Sequence, residues 1–68
     1  MKFSIETEME KDGRWIAEIK EIPGVIVYGK SETEAIHKAQ ALALRVLAEK
    51  LENEEVLEDF ANISFATI

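Results

Sequence analysis

The sequence has no cysteine, which excludes disulfide bridges and thiolate metal sites. It has one histidine, His37, too few nitrogen ligands for a structural zinc site within one chain. Basic residues are in the minority. Lysine and arginine number 8 against 14 aspartates and glutamates, for a net charge of −6. That argues against nucleic acid as a direct partner, because neutralising phosphates takes clustered Lys and Arg. It leaves room for a basic protein partner. No apolar run approaches the roughly 20 residues that span a bilayer. The N-terminus, M-K-F-S-I-E-T-E, turns acidic and alternating too soon for a signal peptide, so the expected location is the cytoplasm. No repeat, linker or low-complexity segment divides the chain, and residues 1–68 read as one domain. A domain near this size hides only about 60% of its unfolded surface. Small scaffolds without disulfides or metals often rely on oligomerisation.

What is present is patterned. Residues 2–10 alternate, with Phe3, Ile5, Thr7 and Met9 on one side and Ser4, Glu6, Glu8 and Glu10 on the other, as a half-buried strand does. Lys11-Asp12-Gly13 is a turn, and residues 14–20 form the return strand. The loop length follows from the pattern. A two-residue Asp12-Gly13 loop would put Phe3 and Ile5 on the face of Glu18 and Lys20. A three-residue loop instead pairs Met9 with Trp15, Thr7 with Ala17 and Ile5 with Ile19, so every apolar residue but Ile16 shares one face. A one-residue slip flips every side chain. The three-residue loop is therefore expected, with Gly13 in the left-handed position of a G1 bulge. Pro23 and Gly24 suit the centre of a type II turn. Val25 to Tyr28 is a short strand apolar on both faces, which leaves open whether Val25 and Val27 or Ile26 and Tyr28 face the core.

The longest element runs from Ser31 to Asn53. Ser31 is a good N-cap, and Glu34 three residues on completes a capping box. Ala35, Ile36, Ala39, Leu42, Ala43, Val46 and Leu47 fall on one broad face, as a helix packed on a sheet requires. A second stripe carries His37, Ala41, Leu44, Ala48 and Leu51. A helix this apolar must be covered on more than one side, and in so short a chain the second cover is expected to be another subunit. Val56 to Phe60 reads as one helical turn or an irregular link. Asn62 to Ile68 reads as a final strand with Ile63 and Phe65 on one side. The expected fold is α+β in two layers: a three-stranded antiparallel sheet, one long helix and a C-terminal strand, β-β-β-α-β.

Residues 12–39 carry a further signal. Asp12-Gly13 with Trp15, then Glu21-Ile22-Pro23-Gly24, then Gly29, Ser31, Glu34 and Ala35 resemble the pattern of the HicB-like antitoxin family. In that pattern an acidic-Gly hairpin precedes an aromatic, an acidic-Leu-Pro-Gly turn closes the strand, and a Gly and a Ser/Thr cap open the helix. Here Glu and Ile stand where Asp and Leu are common. The run A-L-A-L-R-V-L-A-E-K-L-E-N and the later N-I-S-F-A are similar to the short single-domain branch, so the resemblance covers nearly the whole chain. It implies a partial ribonuclease-H-like fold. It also implies a non-catalytic antitoxin that binds and neutralises a small basic ribonuclease toxin of the HicA type. Many members add a C-terminal DNA-binding segment, whereas this sequence ends at Ile68, and direct nucleic-acid binding is not expected of it.

Chemistry is weighed against plainer readings. Glu6, Glu8 and Glu10 project from one strand face, with Glu18 beside Glu6, but two-metal catalysis needs acids converging in a cleft. The face reads as solvated or as a dock for a basic protein, with Glu6, Glu8, Glu18, Ile26 and Tyr28 as the candidate contacts. His37 has no Ser, Cys or acid placed by sequence to work with it. Trp15, opposite Met9, reads as core rather than as an exposed anchor. The acidic run Glu52-Asn53-Glu54-Glu55 lacks Ca²⁺-loop spacing. No catalytic residue, metal ligand or cofactor is expected, nor any membrane contact. The expected oligomer contact, for a dimer or tetramer, is His37, Ala41, Leu44, Ala48, Leu51, Ile63 and Phe65. The alternatives to an antitoxin are a stand-alone structural homo-oligomer and a degenerate nuclease-like enzyme.

Overall fold

The computed structural model describes residues 1–53 and 62–68. The expected turn or link over Val56–Phe60 lies outside the described residues. Strand β1 spans Lys2–Met9, β2 Trp15–Glu18 and β3 Ile26–Gly29; helix α1 spans Glu32–Glu52; strand β4 spans Ser64–Thr67. The order β-β-β-α-β and the α+β class agree with the sequence reading. The four strands form one sheet in the order β3-β2-β1-β4, with β4 parallel to β1. The sheet is therefore mixed, not purely antiparallel. Since β2 reverses β1 and β3 reverses β2, β3 runs parallel to β1. The 21-residue α1, about 31 Å long at 1.5 Å per residue, carries the chain back along the sheet, and β4 then runs in the direction of β3.

The hairpin has the expected register: Met9 pairs with Trp15, Thr7 with Ala17 and Glu6 with Glu18. The Glu10 N–H donates to Arg14 O at 2.7 Å, so the loop is Lys11-Asp12-Gly13, and Gly13 has φ +90°. The ladder ends earlier than the expected Ile5–Ile19 pair, because the chain turns after Glu18. Ile19 N–H, which faces β3, bonds to Val25 O, and the Ser4 N–H that β2 leaves open donates to the Glu21 carboxylate at 3.1 Å. Gly24 has φ +88° and Val25 N–H donates to Ile22 O, as the type II turn requires.

Helix α1 lies on one face of the sheet. Ala35, Ala39, Ala43 and Leu47 are buried at intervals of four residues, flanked by half-buried Ile36, Leu42 and Val46. They cover Phe3, Ile5, Ala17, Ile19, Ile22 and Val25, which complete the core. Alanines let the helix backbone approach the sheet closely, and at Gly29 the backbone of Ala35 stands within reach of where a β-carbon would be. At its start the Ser31 hydroxyl accepts the Glu34 N–H at 3.1 Å. The Glu34 carboxylate reaches one residue further back than a standard capping box, to Lys30 N–H at 3.0 Å.

One core expectation is corrected. Met9, placed with Phe3 and Ile5, is 59% exposed. The helix begins at Glu32, whose carboxylate accepts the Thr7 hydroxyl at 2.7 Å, so Met9 projects past its end. Trp15, on the same row as Met9, is half-buried against the core.

Candidate binding surfaces

Strand pairing settles which residues share the face opposite α1. Val27 pairs with Ala17, a core residue, and Gly29 pairs with Trp15. Val25 and Val27 therefore point to the helix, and Ile26 and Tyr28 to the outer face. Two rows cross that face: Ile26, Glu18 and Glu6, then Tyr28, Ile16 and Glu8. Each runs from an apolar edge on β3 to an acid on β1. Ile26 is 51% and Tyr28 44% exposed, Ile16 and Glu18 are half-buried, and Glu6 and Glu8 are exposed. All five residues expected to bind a partner, Glu6, Glu8, Glu18, Ile26 and Tyr28, thus lie on one surface.

Two cations modify this face. Lys20 Nζ is 3.3 Å from a Glu6 carboxylate oxygen, with both side chains well exposed. An exposed pair of this kind is worth well under about 1 kcal/mol. Arg14 lies over the Tyr28 ring, 4.5 Å from its centroid. Its Nε donates to Asp12 Oδ2 at 2.7 Å, and its backbone N–H donates to Asp12 Oδ1 at 3.0 Å. The backbone N–H of Arg14, with the guanidinium second, holds the Asp12 carboxyl below its usual range. Neither contact was anticipated. The Arg14–Tyr28 contact follows from the β2–β3 register, which pairs Ile16 with Tyr28 and so sets Arg14, two residues earlier on the same face, diagonally beside the ring. A depression of about 200 Å³ on this face is lined by Glu6, Thr7, Glu8, Ile16, Glu18 and Lys20.

The second surface is the outward face of α1. His37, Ala41, Leu44, Ala48 and Leu51 are all exposed, with Leu44 at 49% and Leu51 at 55%. The two C-terminal candidates sit differently. Phe65 is half-buried within its own chain, its ring 5.8 Å from that of Phe3. Ile63 is also half-buried, and with Leu44, Leu47, Ala48 and Leu51 it lines an apolar trough of about 250 Å³ beside the helix. The structure thus joins Ile63 to the helical stripe and directs Phe65 inward.

Among the described residues, no three of His, Cys, Asp and Glu converge to hold a metal ion, and no helix is long and apolar enough to cross a membrane. No known family, curated protein or solved structure matches the chain.

Proposed function

We propose that this chain is a binding protein of the HicB-like antitoxin kind, acting in the cytoplasm, which docks a small basic ribonuclease on the outer face of its sheet and blocks it without chemistry of its own. The carrying observation is the pair of rows Ile26–Glu18–Glu6 and Tyr28–Ile16–Glu8, which set an apolar strip beside a bank of carboxylates. A ribonuclease must present cations to RNA phosphates. Carboxylates fixed on a rigid sheet compete for the same cations. The adjoining Ile26 and Tyr28 supply the apolar contact area that charge alone lacks. A net charge of −6 adds long-range attraction for such a partner. The motif resemblance around Asp12-Gly13, Pro23-Gly24 and Ser31 points to the same function.

The test is capture of the tagged full chain from its native cells at low ionic strength, read by mass spectrometry, since screening weakens a charge-steered complex. Recovery of a stoichiometric small basic protein whose ribonuclease activity the chain suppresses is expected. Capture should fall when Glu6 and Glu8 are both replaced by Lys. Recovery of the chain alone would overturn the reading in favour of a self-assembling protein.

A further inference from the structure

The outward face of α1 has a different periodicity from its sheet-facing side. Ala35, Ala39, Ala43 and Leu47 recur every four residues against the sheet. On the outward face, His37, Ala41, Leu44, Ala48 and Leu51 are separated by four, three, four and three residues. That is the 3.5-residue spacing of a coiled-coil seam, with Ala41 and Ala48 at one core position and His37, Leu44 and Leu51 at the other. A helix that only had to cover its own sheet would have no use for a second seam at this spacing.

We propose that this seam docks a second copy of the chain, with the two α1 helices antiparallel. Side-chain size favours that direction. In an antiparallel pair, Ala41 meets Leu51 of the second copy and Leu44 meets Ala48, so each layer joins a small residue to a large one. A parallel pair would stack leucine on leucine and alanine on alanine and leave the alanine layers hollow, which close packing disfavours. Charge favours it too. Lys38 flanks the early part of the seam and Glu52 its end, on the same side of the stripe. Turning one helix end for end brings Lys38 near Glu52 of the second copy, whereas in a parallel pair the two copies of this flank lie on opposite sides of the seam and the Lys38–Glu52 contact is not made. Arg45, midway along, meets its own copy only in the antiparallel pair, one exposed like-charge contact set against two Lys38–Glu52 contacts. Lys38 Nζ already lies 3.2 Å from Glu34 Oε1 and donates to Tyr28 O at 3.4 Å, which leaves the third of its donors, on a side chain 56% exposed, for Glu52 of the second copy. The apolar trough along Leu44, Leu47, Ala48, Leu51 and Ile63 receives the side chains of the second copy, which extends the contact beyond the helix itself. This surface is on the far side of α1 from the sheet, so the pairing does not rest on the antitoxin reading and leaves the acidic face of both copies open.

Sedimentation equilibrium of the full chain should give a dimer. Leu44→Glu, with unchanged far-ultraviolet circular dichroism, should raise the dimer dissociation constant by at least about 100-fold, since each dimer loses two buried leucines. The absence of native cysteine allows the direction to be read directly. A mixture of Ala41→Cys and Leu51→Cys chains should form a mixed disulfide under mild oxidation. Neither variant should cross-link to itself, because the two copies of either position stand on the order of 15 Å apart in the antiparallel pair, beyond disulfide reach. Lys38→Glu should weaken the dimer and added Glu52→Lys should restore it, which keeps the test decisive if Leu44→Glu does not fold. A monomeric wild-type chain, a Leu44→Glu chain that still dimerises, or Leu51→Cys chains that cross-link to themselves would each overturn the proposal.

Discussion

A β-carbon built on Gly29 would stand 2.5 Å from the backbone nitrogen of Ala35 and 2.9 Å from its Cα. The end of β3 and the first turn of α1 are in backbone contact there, and neither atom can swing aside as a side-chain tip can. Gly29→Ala must push the helix start off the sheet, which disturbs the Ser31 cap and the burial of Ala35 together. The expected loss is about 1–3 kcal/mol, the usual range for overpacking. Chemical denaturation of Gly29→Ala against wild type measures it, and an unchanged midpoint would contradict the close approach.

The two faces of α1 predict opposite outcomes for similar truncations. Leu47 is 4% exposed, among core residues that include Phe3 and Ile22. Leu47→Ala should cost about 2–5 kcal/mol, the range for a buried leucine that leaves a cavity. Leu44 is 49% exposed. At a concentration low enough to keep the chain monomeric, Leu44→Ala should stay within about 0.5 kcal/mol of wild type, as surface substitutions do. Equal losses in thermal melts of the two variants would place the helix faces wrongly.

Acid should loosen the helix start. The Glu34 carboxyl is held below its ordinary 4.5, first by the Lys30 backbone N–H and then by the Lys38 ammonium. Its folded value is thus the lower of the two states. The stabilisation is complete above the unfolded value, starts to fall as pH drops below it, and is gone below the folded value. Asp12, held down from 3.8 by Arg14, acts in the same sense at the hairpin. Stability measured between neutrality and strongly acidic pH should therefore decline below about 4.5. Glu34→Gln should flatten part of that decline, and a Glu34→Gln profile parallel to wild type would remove this carboxylate from the account.

Much of this geometry was legible in the sequence because two periodicities are strong and mutually consistent. The alternation of Phe3, Ile5 and Thr7 against the glutamates set the hairpin register once a three-residue loop was required to keep the apolar residues together. Ser31 and Glu34 marked the helix start. Val25 to Tyr28 was not legible by periodicity, being apolar on both faces. Gly29 held the missing signal: a glycine beside the helix start belongs on the face the helix approaches, and Val27 and Val25 share its parity. The position of β4 had no local signal at all. Its place beside β1 depends on where α1 returns the chain and on Phe65 meeting Phe3. Met9 was misplaced because strand alternation does not say where the covering helix begins.

The last prediction concerns the opposed carboxylates of Glu6 and Glu18. They occupy directly paired positions on β1 and β2, on the same face. Like charges at such a site destabilise a sheet, whereas opposite charges contribute roughly 0.2–1 kcal/mol. Lys20, 3.3 Å from Glu6, offsets part of the repulsion. For the fold alone, a lysine at residue 18 would be the better choice. Glu18→Lys should raise stability by roughly 0.5 kcal/mol, more at low salt than at high. In the same variant, capture of a basic partner should fall, because the middle of the Ile26–Glu18–Glu6 row now repels it. A variant that gains stability and keeps its partner would mean that the acids are only a solvated surface. One that loses stability would mean that Glu6 and Glu18 do not repel across the strands.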